Sequence, residues 1–189
     1  MLKYLIISNS KNIKYLSFAH DEVSVIENFM RGCVKTEMMF INTNLGLEIY
    51  YFSPFNLKKL IISSLELITS HRNINVRTYQ ISSFTKSEDI IAHICKNHNR
   101  MYRMPFSYKC YIQSLFRQLE LNKTKNSQII KELIDIWYKI MSSPNFNKKI
   151  RLNFIKPLNK FLKLNPTVAN KIAIRKHLVQ NEMSSFKRN

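Results

Sequence analysis

The side chains best equipped for chemistry crowd into one stretch, HICKNHNRMYRMPFSYKCY, from His93 to Tyr111. His93, Cys95, His98 and Cys110 are of the types that hold zinc. Zinc takes convergent nitrogen or sulfur atoms, usually delivered by paired ligands spaced C-x2-4-C or H-x3-5-H on turns. Here the pairs are H-x-C and C-x-x-H inside one predicted helix, and Cys110 arrives alone. On that helix residues 93, 95 and 98 point in three directions, with Cys95 on the apolar stripe where an ordinary buried thiol belongs. The expectation is no metal site, and no cysteine nucleophile either, since no base is placed to activate one.

Carboxylates are few. Asp21 with Glu22, Glu88 with Asp89, and Glu132 with Asp135 are the close pairs, whereas a metal-dependent nuclease needs several that converge. Two pairs fall in first helical turns, where acids favour the helix dipole, and the third on the polar side of a helix. With two glycines in 189 residues there is no glycine-rich phosphate loop of the Walker or dinucleotide type. The expectation is a protein that is not an enzyme and carries no cofactor.

Cations make the stronger pattern. The net charge is +18, and an excess of this size points to nucleic acid or an anionic membrane surface. Part of it is a composition effect: 24 Ile, 21 Lys and 20 Asn against 9 Arg, 4 Ala and 2 Gly look like an AT-rich gene, viral, organellar or microbial. Such a bias acts evenly along a chain, but the charge is uneven. Residues 1–95 hold 10 Lys and Arg against 8 Asp and Glu, a net of +2, and residues 96–189 hold 20 against 4, a net of +16. A merely solvated face mixes its signs, so the one-signed half calls for an anionic partner.

Within that half, Arg100, Arg103, Lys109 and Arg117 are interleaved with Tyr102, Phe106, Tyr108, Tyr111 and Phe116, a mixture able to neutralise phosphates and stack on bases. Apolar positions are scarce there, so the rings read as core and the cations as the contact surface. Further on, Lys148, Lys149, Arg151, Lys156, Lys160 and Lys163 alternate with Phe146, Ile150, Phe154, Phe161 and Leu162. In the last segment Lys171, Arg175 and Lys176 share one helical side.

The elements that position these residues follow from periodicity and punctuation. Leu2 to Ile7 and Ile13 to Phe18 read as a strand pair, then a helix from about Asp21 to Met30 stopped by Gly32. Thr36 to Ile41 and Leu47 to Phe52 flank NTNLG as a second hairpin. Ser53 and Pro54 look like the cap and first turn of a helix through Ile68. Residues 74–79 alternate like a half-exposed strand, and Ser87 opens another helix. Asn126 or Ser127 caps the clearest helix of all, with Ile130, Leu133, Ile134, Trp137 and Met141 on one stripe. After it, Pro144, Pro157 and Pro166 each read as the start of a short basic helix.

The predicted class is α+β: a small antiparallel sheet with helices in the N-terminal half, the helices on one face, followed by a mainly helical basic C-terminal half. Residues 1–95 would form the near-neutral α/β core region and residues 96–189 the basic nucleic-acid-binding region, as two units or one continuous domain. Three cysteines make no disulfide framework, and neither a secretory signal, a transit helix nor a membrane span is visible. An intracellular, soluble protein is expected. The partner expected is RNA, bound through phosphates and duplex shape without catalysis, in a ribonucleoprotein or as a viral RNA-sequestering accessory protein of the silencing-suppressor type. The alternative is a peripheral membrane or matrix-type protein whose basic surface meets anionic lipid or an acidic protein, and the third reading is a metal-dependent nuclease. The near-neutral half is left for a protein contact.

Overall fold

The computed structural model of the chain describes residues 1–8, 20–43, 46–70, 75–123, 127–142 and 146–166. Four strands, β1 (Leu2–Ser8), β2 (Met38–Thr43), β3 (Gly46–Phe52) and β4 (Gln80–Phe84), form an antiparallel sheet in the order β2-β3-β1-β4. Helices α1 (His20–Val34) and α2 (Lys58–Thr69) interleave with the strands. Helices α3 (Ser87–Tyr102), α4 (Pro105–Asn122), α5 (Ser127–Ser142) and α6 (Lys148–Leu164) follow. The architecture is α+β, with every described strand in the N-terminal half.

Both faces of the sheet are covered, where the sequence suggested one. Leu5, Ile7, Phe40, Ile49 and Tyr51 pack with α1 and α2 through Val23, Ile26, Met30, Ile61 and Leu65. Tyr4, Ile6, Met39, Ile41 and Tyr50 pack against residues of α3 to α6. A strand buried on both sides has no reason to alternate, which is why Tyr4 to Ile7 is an unbroken apolar run.

Several predicted boundaries move for local reasons. Gly32 lies inside α1, whose last turn is held by Arg31 bonding Glu27 at 2.7 Å and the Met38 carbonyl at 2.8 Å. The left-handed position is Lys35, at φ 47°. Ser53 and Pro54 form a turn instead of a helix start: the Ser53 hydroxyl accepts from the Phe55 N–H at 3.0 Å, and α2 begins only after Asn56 has accepted from the Lys58 N–H. Val76–Thr78 is a 3-10 turn, with Asn75 accepting from the Arg77 N–H, and the strand of this region is β4. The second strand expected at residues 13–18 and the proline at 144 lie outside the described residues.

The largest departure is α6, one helix running straight through Pro157 where two were predicted. An interior proline removes one backbone hydrogen bond and costs about 3 kcal/mol. The buried row Phe146, Ile150, Phe154, Leu158 and Phe161 gains about 1.5–3 kcal/mol per side chain, so burial wins.

At the centre of the sheet is a carboxyl group. Glu48 is 1% exposed. Its Oε2 accepts from the Tyr50 hydroxyl at 2.7 Å and the Tyr4 hydroxyl at 3.3 Å, and its Oε1 from Thr43 at 3.2 Å. The Tyr111 hydroxyl of α4 bonds it as well. Burial pushes the carboxyl pKa above its ordinary value, against the hydroxyl bonds that favour the anion. Glu48→Ala leaves these hydroxyls facing one another and should lose about 3–5 kcal/mol in urea unfolding, whereas Glu48→Gln keeps an acceptor and should lose about half as much. Because folding raises this pKa, the stabilising contribution is complete below the ordinary carboxyl range and fades as pH rises through the raised value. Glu48→Gln should abolish that fade, and a wild-type pH profile unchanged by the substitution would refute the assignment.

The two glycines offer an independent check on the same fold. Gly46 has φ +125°, and a Cβ there would lie 2.0 Å from the Ile7 carbonyl oxygen of β1, whereas at Gly32 a Cβ meets nothing within 4 Å. Gly46→Ala should therefore destabilise strongly. Gly32→Ala should raise stability by about 0.5–1 kcal/mol, measured the same way.

Candidate nucleic-acid interface

Most described cations of the basic half sit on three helices that touch one another, α3, α4 and α6, with Lys131 and Lys139 on α5. Each helix turns an apolar row inward and leaves a charged row outward, as the 3.6-residue period requires. On α3 the inner row is Ile90, Ile94, Asn97, His98 and Met101. The outer row carries Lys96, Arg100 and Arg103, which with Ala92, Cys95 and Asn99 line a shallow concavity of about 530 Å³. Their field is visible at His93: burial first, then the charges of Arg100 and Lys96, hold its pKa below the ordinary histidine value.

On α4, Lys109, Gln113 and Arg117 are exposed at four-residue intervals. Tyr108, Tyr111, Ile112, Leu115 and Leu119 point into the core. The helix is anchored to the edge strand: the Gln118 amide oxygen accepts from the Asn42 N–H at 2.6 Å, while the Gln118 amide nitrogen and the Ser114 hydroxyl donate to the Asn42 carbonyl. This grip uses up edge groups of β2 that could otherwise template another strand.

Helix α6 carries the longest row. Lys149, Asn153, Lys156, Lys160 and Lys163 are exposed and follow one another at intervals of four, three, four and three residues, so they share one stripe about 20 Å long. No acid occurs anywhere in the helix. Arg151 is half-buried on the far side of α6 and does not join the stripe. Lys148 is the first residue of α6, but its side chain, like Lys171, Arg175 and Lys176, lies outside the described residues.

The expected binding residues thus divide into Arg100 on α3 with Arg103 capping its C-terminal end, Lys109 and Arg117 on α4, and Lys149, Lys156, Lys160 and Lys163 on α6. Sequence reasoning left out Lys96, although its four-residue spacing to Arg100 was the available signal. It also left out Gln113 and Asn153, uncharged members of two otherwise cationic rows.

The rings are mostly core. Tyr108 and Tyr111 are buried, and Tyr102 and Phe116 pack half-buried against the main cluster. Phe106 is the exception at 80% exposed, beside Met104 at 50%, both at the corner between α3 and α4.

The residues that resembled zinc ligands have separate surroundings. Asn97 donates to His93 Nε2 at 2.9 Å, and His93 packs on Phe84 with ring centroids 4.4 Å apart. Cys95 accepts a long hydrogen bond from Asn99. His98 is 3% exposed and enclosed by the rings of Tyr108, Tyr111, Phe146 and Phe154. Among the described residues no three His, Cys, Asp or Glu side chains converge to hold a metal ion.

Many acids are also occupied structurally. Glu27 pairs with Arg31, Glu66 with Arg77, and Glu120 with Lys123 and Asn165, while Glu37 accepts from the Ile129 N–H in the first turn of α5. No described helix is long and apolar enough to cross a membrane. Compared with known proteins, the chain matches no family model, no curated protein and no solved structure.

His98 makes the interface helices sensitive to acid. Its Nδ1 is 3.2 Å from the Tyr108 hydroxyl, and its Nε2 has no hydrogen-bond partner among the described residues. Burial lowers its pKa from 6.5 to about 4. A folded-state pKa below the unfolded one means stability that is complete above about pH 6.5 and is lost as pH falls toward 4, about 3 kcal/mol in all. Wild type minus His98→Phe, compared by urea unfolding across that window, should show this loss, and parallel profiles would refute it.

Proposed function

We propose that the chain is a non-enzymatic RNA-binding protein that contacts phosphates through the outer faces of α3, α4 and α6. The observation that carries this reading is the α6 stripe of Lys149, Lys156, Lys160 and Lys163, single-signed and regularly spaced on a helix without acids. Such a row repels itself and is unfavourable on a free surface, but a polyanion releases counterions on binding it. RNA is preferred to DNA because no recognition helix of a DNA-reading motif is evident among the described residues, and a row of phosphate contacts reads backbone shape, not base edges. A ribonucleoprotein component and an accessory protein that sequesters RNA both fit this mode of binding. The structural engagement of Glu27, Glu37, Glu48, Glu66 and Glu120 supports the non-catalytic part of the reading.

One observation favours the membrane alternative: Phe106 and Met104 are exposed beside Arg100, Arg103 and Lys109, and an apolar tip ringed by cations can enter a headgroup layer. Against it, the apolar row of α6 is already spent on the core, so that helix has no face to insert.

With six cations on phosphate (Arg100, Arg103, Lys149, Lys156, Lys160 and Lys163), the slope of log affinity against log salt should be about −4 to −5 for duplex or single-stranded RNA. Reversing Lys156, Lys160 and Lys163 to Glu should weaken binding far more than reversing Lys58 and Lys59 on α2. A flat salt response, or equal effects of the two reversals, sinks the phosphate model. Tighter sedimentation with anionic vesicles than with RNA at equal salt would transfer the case to the membrane reading.

A further inference from the structure

Between α4 and α6 lies a cleft of about 540 Å³, within the size range that holds small ligands. Its apolar walls are Tyr102 from the end of α3, Pro105, Tyr108 and Ile112 from α4, and Pro157 from α6. Its polar groups are the amides of Gln113 and Asn153 and the ammonium of Lys109.

The interior proline gives this cleft something an ordinary helix surface lacks. Residue 157 has no N–H, so the Asn153 carbonyl, its partner in regular α-helix bonding, is left as a spare acceptor. Asn153 and Pro157 are one turn apart and both line the cleft, which places that acceptor on its side of α6. The opposite wall is stiffened from within: the Tyr108 hydroxyl meets buried His98 at 3.2 Å, and the Tyr102 ring stands edge-on to Tyr108 with centroids 6.0 Å apart. Flat apolar walls with both donors and acceptors at their margin suit a heterocyclic base, whose faces stack and whose edges hydrogen-bond. A hydrocarbon chain would leave the two amides unpaired, and a bare phosphate would find one cation among tyrosines and prolines.

The cleft is also continuous with the charged rows. Lys109 and Gln113 belong to the exposed face of α4, and Asn153 stands between Lys149 and Lys156 on the α6 stripe. We propose that this cleft receives one unpaired base of a bound RNA, with the adjoining phosphate on Lys109, so that the protein favours strands, loops or bulges over a perfect duplex. This rests on the RNA-binding reading and gives that surface a preference which phosphate contacts alone cannot supply.

The test compares a short single-stranded RNA with a ribose-phosphate chain of equal length lacking bases, by fluorescence anisotropy at one ionic strength. The RNA should bind about tenfold tighter or more, the size of effect that one stacked base contributes. The double variant Gln113→Ala, Asn153→Ala, at exposed positions, and separately Pro157→Ala, which returns an N–H to the Asn153 carbonyl, should bring the ratio toward one with the salt slope unchanged. Photo-crosslinking with 5-iodouridine RNA should label Tyr102 or Tyr108. Equal binding of the two chains with a steep salt slope overturns the base cleft and leaves phosphate binding intact, while binding of neither overturns both. Base-dependent binding that survives the variants and labels Phe106 also overturns the cleft, because the base then stacks on the corner between α3 and α4.

Discussion

A carboxyl group buried in a sheet is unfavourable unless its surroundings are fixed around it, and in this protein Glu48 sets that requirement. Its hydroxyl partners come from β1 (Tyr4), β2 (Thr43), β3 (Tyr50) and α4 (Tyr111). Satisfying one side chain therefore demands the register Tyr4↔Tyr50 between β1 and β3, the closed hairpin of β2 and β3, and the docking of α4 over them. A one-residue slip would turn Glu48 toward α1 and α2, where the packing is apolar, and leave three tyrosine hydroxyls without their acceptor. The polar cluster adds little net stability by itself, but it makes alternative pairings expensive. The stacked rings of Tyr4 and Tyr50, centroids 4.7 Å apart, fill the space around it.

Once α4 is docked, the division of labour in the basic half follows. A sheet covered on both faces needs apolar surface from somewhere, and α3 to α6 supply it. Phe154, Trp137, Leu115 and Tyr111 face inward, so the lysines and arginines that share their helices are left outside. The charge asymmetry between the halves of the chain is thereby converted into an asymmetry between the inside and outside of a helical layer. The boundary at residues 95 and 96 falls within the unbroken helix α3, and the larger apolar cluster combines sheet residues with residues of all four later helices.

Elements with a strong single period were legible from local spacing. The Trp137 helix, the helix opened by Ser87 and the second hairpin depend on residues within a turn or two of one another. Elements decided by distant partners were not. Gly32 looked like a helix stop, but Arg31 reaches across to the Met38 carbonyl and carries α1 past it. Pro157 looked like a helix start, but four buried side chains spaced along α6, Ile150, Phe154, Leu158 and Phe161, outweigh the one hydrogen bond it removes. The role of Glu48 was not legible, because nothing near it in sequence shows that Tyr111 of α4 completes its shell. On the interface, the cationic positions were legible as types and spacing; which of them face the same way was not, as Arg151 and Lys149 illustrate.

By itself the sequence determined the class of fold, the sign and uneven distribution of the charge, and the apolar rows, because composition, charge and period are local properties that the chain carries into any conformation. Only the tertiary structure decided that the sheet is buried on both faces, that α6 continues through its proline, and that a cleft between α4 and α6 adjoins the lysine stripe. Each of those depends on burial energies summed over residues far apart in the chain, which no local pattern records.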